Sequence, residues 1–211
     1  MMMVCWIIQK LHTREIHTFR YTLTQHRNNM PKKIIFFDGD GTLWYPRQTK
    51  YQKKPSWVYR TEGSPEDHCR QLMLIPTVLQ TLRKLKKRGI ITVVLSTHPH
   101  PPKEAKMLIH HKIKHFQLAD LFDEIYATRN FHSSKGEFIT KILKKRGIAK
   151  KDALMVGDNY HWDYKPARDV GIEALLLESD YMRLDPQGRR VQKKIKKLSD
   201  LLDILFPVGN E

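Results

Sequence analysis

The run Ile34-Ile35-Phe36-Phe37 constrains this 211-residue chain most strongly, because it stops abruptly at a pair of acids. Four consecutive apolar residues, two β-branched and two aromatic, predict a buried strand. The strand ends at Asp38-Gly39-Asp40-Gly41-Thr42, where a single glycine separates two carboxylates. Acids at the end of a buried strand are costly unless something offsets their charge, and a divalent cation at the carboxyl edge of a parallel sheet does so. The two acids also offer complementary chemistry, one as a nucleophile and one as a proton donor and acceptor.

From residue 32 onward the pattern alternates strands with helices. A helix is expected over residues 76–88, with Val78, Leu79, Leu82 and Leu85 on one face and Gly89 ending it. A continuous apolar strand over 90–95 runs into Ser96-Thr97, and a helix follows between 103 and 111. A short strand lies within 121–126, and a helix over 137–146 is stopped by Gly147. Residues 153–157 read as a strand ending in Asp158; a helix after Asp163 closes near Gly171, and 172–177 form another buried strand. A final short helix is expected over 200–205. Nearly continuous apolar strands at this spacing predict an α/β fold: a doubly wound, Rossmann-like parallel sheet with helices on both faces.

Three polar clusters follow three separate strands: Asp38 and Asp40, Ser96 and Thr97, and Asp158-Asn159 with Asp163. In a doubly wound sheet the carboxyl ends of neighbouring strands line one crevice, so these clusters are expected to converge. A loop with a capping aspartate accounts for Asp38 and Asp40 alone but not for the series.

Residues 1–29 differ from the rest: they are polar, rich in His, Thr and Gln, and show no sustained period. They are expected to be a poorly ordered extension, either upstream of a start at Met30 or a disordered arm, with one domain over 30–211. Residues 1–8 have a brief apolar stretch without the order of a secretory signal, and no run approaches a membrane span. The two cysteines, Cys5 and Cys69, sit in no metal or redox spacing, which favours a reducing cytoplasm and no disulfide framework. Net charge is +16. That balance suits either a polyanionic partner such as nucleic acid or lysines that solvate helix faces, and the lysine runs beside helical apolar positions favour the latter.

Taken in order, these motifs resemble the haloacid dehalogenase-like superfamily of phosphohydrolases. Asp38, Asp40, Gly41 and Thr42 match its DxDGT signature, Ser96 its hydroxyl after the second strand, and Lys135 its lysine ahead of a helix. Gly157-Asp158 through Asp163 is similar to its GDxxxxD pattern, and the likeness covers residues 32–178. The resemblance implies that Asp38 attacks phosphorus and that Asp40 protonates the leaving oxygen. It implies Mg²⁺ held by the Asp38 carboxylate, the Asp40 backbone carbonyl and Asp158, with Ser96 or Thr97 and Lys135 on phosphoryl oxygens. Asp163, together with Asn159, is expected to support the metal or Lys135 from behind, and Asp163 also suits the N-cap of the next helix.

The chain departs from the family pattern at two places. Gly136 follows Lys135 where the family often has proline; Lys141 and Lys103 are the poorer alternatives. Gly39 stands where a larger apolar residue is usual, with only a local loss of packing expected. About 30 residues between Trp44 and Pro76 hold a flap or loop insert at about 45–75, with Pro55, Trp57 and Tyr59, but not an independent cap domain. The chain is therefore similar to the capless magnesium-dependent phosphatase group, which implies a phosphorylated small molecule or macromolecule as substrate. His98 and His100 are expected near the mouth, without the Cys/His zinc loop of capless heptose-bisphosphate phosphatases. Trp44, Tyr45, Trp57 and Trp162 are read as core or flap packing, with Trp44 and Trp57 also placed to flank substrate. A nucleic-acid end phosphatase and a non-catalytic phosphate- or partner-binding module are the competing readings.

Overall fold

All four residues of β1 (Ile34–Phe37) are buried, as a central strand of a covered parallel sheet requires. The computed structural model describes residues 32–53, 58, 62–98, 100–129 and 134–207. The chain divides into two units, residues 1–31 and 32–211, and every described residue belongs to the second. The expectations for residues 1–29, Cys5, Pro55, Trp57 and Tyr59 lie outside the described residues.

After β1 come β2 (Trp44–Pro46), α1 (Pro65–Gln71), β3 (Leu72–Leu74), α2 (Val78–Lys87) and β4 (Ile91–His98). Then follow α3 (Pro102–His115), β5 (Glu124–Arg129), α4 (Lys135–Arg146) and β6 (Ala153–Gly157). A single π-helical turn (Tyr160–Tyr164) leads into α5 (Lys165–Asp169), followed by β7 (Glu173–Leu177). The described chain ends with α6 (Asp180–Arg183), α7 (Pro186–Arg190), β8 (Lys194–Ile195) and α8 (Asp200–Leu205).

The main sheet has the order β5-β4-β1-β6-β7-β8, and every described pairing in it is parallel. The chain builds outward from β1 through β4 to β5, then returns to the other side of β1 to lay down β6, β7 and β8. That reversal is the topological switch point at which such sheets bind ligands. Phe37 is level with Val94 of β4 and Val156 of β6, so Asp38 emerges between two neighbouring strand ends.

Alternation along the strands makes two apolar layers. Ile35, Phe37, Val94, Leu154 and Val156 face one side, where Val78, Leu82 and Leu85 of α2 and Ile109 and Ile113 of α3 pack. Ile34, Phe36, Val93, Leu95 and Met155 face the other, under Ile139, Ile142 and Leu143 of α4 and Ala167 of α5. Burying each of the larger of these side chains (Val, Leu, Ile, Phe or Met) contributes roughly 1.5–3 kcal/mol, which is what anchors the helices and, through them, the polar groups at their ends.

Differences from the sequence reading are local. β4 runs three residues beyond the apolar stretch, because Ser96, Thr97 and His98 still pair with Ala127, Thr128 and Arg129 of β5. The helix expected over 103–111 extends to His115. The insert after Trp44 contains a small antiparallel pair, β2 with β3, and α1, opened by a capping box between Ser64 and Asp67. No described helix is long and apolar enough to cross a membrane. Cys69 is a free, buried thiol.

Candidate active site

Three strand ends deliver the acids. Asp38 leaves β1 with its backbone N–H bonded to Val156 O at 3.0 Å. Asp158 follows β6 directly, and Asp163 returns from the π-helical turn. Carboxylate oxygens of Asp38, Asp158 and Asp163 all lie within 4.8 Å of one another, and all three residues are buried. Two glycines permit this crowding. A Cβ on Gly41, which has φ +86°, would lie 2.2 Å from Asp158 Oδ2, and one on Gly157 would lie 2.3 Å from the Asp163 carboxyl.

Lys135, the first residue of α4, places Nζ 2.5 Å from Asp38 Oδ1 and 2.5 Å from Asp163 Oδ1. Ser134 caps that helix, its Oγ accepting from Glu137 N at 3.2 Å. Gly136 has a packing reason: a Cβ there would meet Pro166 O at 2.1 Å, so α4 approaches α5 more closely than a proline or any side chain allows. Of the three lysines weighed from the sequence, Lys135 is the one bonded to the acids.

Asp163 also accepts from Asn159 N at 2.9 Å. The capping role considered for Asp163 belongs to Asn159, whose Oδ1 accepts from His161 N and Trp162 N at 2.9 and 3.1 Å. Asp163 is thus left to pair with Lys135. Ser96 is buried, with Oγ 3.1 Å from where a Gly39 Cβ would stand, so it reaches the loop after β1. Thr97, alternating to the other side of the strand, shares a 3.1 Å hydrogen bond with Thr128 Oγ1.

The Asp40 carboxylate has partners of its own. Its Oδ1 accepts from Trp44 Nε1 at 2.5 Å and lies 3.2 Å from Lys112 Nζ. Trp44 is fully buried and stacked on Phe116, centroids 6.0 Å apart. Gly39 therefore marks no packing loss: a Cβ there would lie 2.8 Å from Trp44 Cζ2, in space the indole takes. His98 is buried with its ring 5.0 Å from that of His100, and His100 Nδ1 lies 3.0 Å from Glu104. Trp162 is exposed, so it is not the core packing expected of it.

Two participants escaped the sequence reading. Lys112 lies among Ala105, Ile109 and Ile113 on the buried face of α3, so its signal was a lysine at an apolar helical position. Tyr181 donates its hydroxyl to Asp158 Oδ2 from α6, a helix of four residues with no legible pattern.

Burial dominates the electrostatics. It pushes the Asp38 carboxyl up to about 7 against the pull of the Lys135 ammonium, and nearby Asp163 and Asp40 add to the rise. Burial, then the charges of Asp163 and Asp38, raise Asp158 well above the ordinary carboxylate value. For Lys135 burial acts downward, but Asp163 and Asp38 outweigh it and hold the ammonium charged. His98 is pushed down to about 4 by burial and by Lys112, so its imidazole is neutral near pH 7.

Three buried carboxylates against one buried ammonium leave an excess of negative charge. A hard dication fits that donor set, since carboxylate oxygens suit Mg²⁺, Ca²⁺ and Mn²⁺. The cluster, a buried hydroxyl and a lysine converge at the switch point, an arrangement able to bind an anion and attack it.

Comparison with known proteins agrees with this geometry. The family model for haloacid dehalogenase-like hydrolases matches residues 16–177. A glyceraldehyde 3-phosphate phosphatase of Pyrococcus furiosus is 28% identical over 167 residues, covering 75% of this chain and 66% of that protein. A pyrophosphatase of Bacillus cereus is 27% identical over 132 residues, covering 61% of this chain and 58% of its own. The chain thus spans less than two thirds of the length of these relatives. Among solved structures, a protein from Listeria monocytogenes serotype 4b shares the fold with a TM-score of 0.62 at 22% identity, over 82% of this chain and 96% of that one.

Proposed function

The chain belongs to the haloacid dehalogenase-like hydrolase family, and we propose that it is a Mg²⁺-dependent phosphatase of phosphate monoesters acting through an aspartyl-phosphate on Asp38. The observation that carries this reading is the union of three buried acids and Lys135 at the end of the central strand. A lone structural ion pair has no use for the excess negative charge, whereas a nucleophile beside a metal does.

In the proposed reaction an Asp38 carboxylate oxygen bonds to phosphorus as the ester P–O bond breaks, and Asp40 gives a proton to the leaving oxygen. Asp40, now a carboxylate, takes a proton from water, whose oxygen bonds to phosphorus and releases Asp38 and inorganic phosphate. Lys135 and Ser96 hold phosphoryl oxygens, and Thr97 shapes the strand end beside them. The carboxylates of Asp38 and Asp158 and the Asp40 backbone carbonyl would hold Mg²⁺, with Asp163 and Asn159 behind. When bound, the metal supplies charge stabilisation to the phosphoryl group.

A small phosphorylated metabolite is the proposed substrate class, supported by relatives named for glyceraldehyde 3-phosphate and pyrophosphate. The insert at about 45–75 is proposed as a flap beside an otherwise capless site, and the cytoplasm as the compartment. The +16 charge favours, as a second reading, the phosphorylated end of a nucleic acid. The test is hydrolysis of p-nitrophenyl phosphate and a phosphometabolite panel with and without Mg²⁺, beside Asp38→Asn. Turnover that needs the metal and falls about a thousandfold in the variant supports the reading; full activity in Asp38→Asn rejects it. Preference for a 3′-phosphorylated oligonucleotide, lost steeply with salt, would favour the nucleic-acid reading.

A further inference from the structure

Asp40 is held from the α3 side, by residues outside the metal cluster. Both Trp44 Nε1, at 2.5 Å, and Lys112 Nζ, at 3.2 Å, reach the same oxygen, Oδ1. Lys112 comes from a helix that contributes nothing to the acidic cluster, and its side chain is only 4% exposed. Its ammonium also lies 5.5 Å from the Trp44 ring, within cation–π range. Phe116, just past the end of the same helix, stacks on that indole, and Gly39 supplies the space in which the ring lies.

Burying an ammonium is unfavourable unless it is paired, and Lys112 sits on the apolar face of α3, between Ile109 and Ile113. An indole at 44, lying in the space Gly39 leaves, and a buried lysine at 112 converge on one carboxylate oxygen. An oxygen that accepts from two N–H donors is not the one that carries a proton in that arrangement.

We infer that Lys112 and Trp44 are the positioning residues of Asp40: by holding Oδ1 they assign proton exchange with the leaving group and with water to Oδ2. The inference rests on the proposed phosphatase reading, in which Asp40 is the acid and base. Neither residue makes or breaks a bond. The proton moves from Asp40 Oδ2 to the leaving oxygen in the first step and from water to Oδ2 in the second.

The test uses the full chain with Mg²⁺ and two esters, p-nitrophenyl phosphate, whose leaving group needs no proton, and an alkyl phosphate, whose leaving group does. Lys112→Met is expected to lower kcat on the alkyl ester about tenfold or more, with KM within about twofold. On p-nitrophenyl phosphate it is expected to show a rapid burst of nitrophenolate followed by a slow steady rate, because only the second step then needs Asp40. Lys112→Arg should recover most of the alkyl-ester rate. If Lys112→Met does not fold, Trp44→Phe, which keeps the ring but removes the N–H, takes the same test. An equal loss on both esters without a burst, or no loss, overturns the inference while unaltered protein with Asp38-dependent turnover leaves the phosphatase reading standing. Absence of turnover by the unaltered protein overturns both.

Discussion

Lys135 Nζ lies 2.5 Å from Asp38 Oδ1, joining residues 97 positions apart and fixing the start of α4 to the end of β1. The same ammonium holds Asp163 at 2.5 Å. Removing it strands two buried carboxylates, a change that typically costs about 3–5 kcal/mol. Lys135→Met should therefore lower the melting temperature markedly, and Mg²⁺ should recover part of the loss by replacing the missing positive charge. Thermal melts with EDTA and with Mg²⁺ check this.

Stability without metal should depend on Asp38 in a defined direction. Its folded value, about 7, lies above the ordinary 3.8, so its contribution is intact below pH 4 and is lost as pH rises through 7. In EDTA, Asp38→Asn should gain on the unaltered protein across that window and melt higher at pH 8. Saturating Mg²⁺ should reverse the order, because the cation favours the ionised cluster. The gap in melting temperature between Mg²⁺ and EDTA for the unaltered protein should widen from pH 5 to pH 8.

Tyr181 donates to Asp158 Oδ2. Asp158 is a proposed Mg²⁺ ligand, and loss of a hydrogen bond to such a ligand commonly weakens metal affinity about 10–100-fold. Tyr181→Phe is expected to fall in that range for Mg²⁺, measured by calorimetric titration, with little change in melting temperature in EDTA.

Gly39 and Trp44 should be coupled. Gly39→Leu places atoms where the indole sits, so it should displace Trp44 and lower activity about as much as Trp44→Phe does. The double variant should lose less than the sum of the two, and a double-mutant cycle on kcat reads that interaction.

The sheet was legible because β1, β4, β6 and β7 carry their own signal in nearly continuous apolar runs, and Asp38 and Asp158 stand where the runs of β1 and β6 stop. Lys135 was legible through its position ahead of a helix. Strands of two or three residues, β2, β3 and β8, have too little sequence for a period to show. Lys112 was hidden for a different reason. It lies one position past the helix expected over 103–111, and the carboxylate that draws it inward lies 72 positions away. Gly39 looked like lost packing because its filler, Trp44, arrives through the turn after it. Contacts made across the fold are not written in any local window.

Trapping the phosphorylated state decides whether Asp38 is the nucleophile. Asp40→Asn, mixed with a phosphoryl donor and Mg²⁺ and quenched in acid, is examined by peptide mass spectrometry. One phosphoryl group is expected on the peptide containing Asp38, located on Asp38 and released by hydroxylamine. A substrate that turns over in the unaltered protein while Asp38 never acquires phosphate, or does so no more than Asp158 and Asp163, would contradict it.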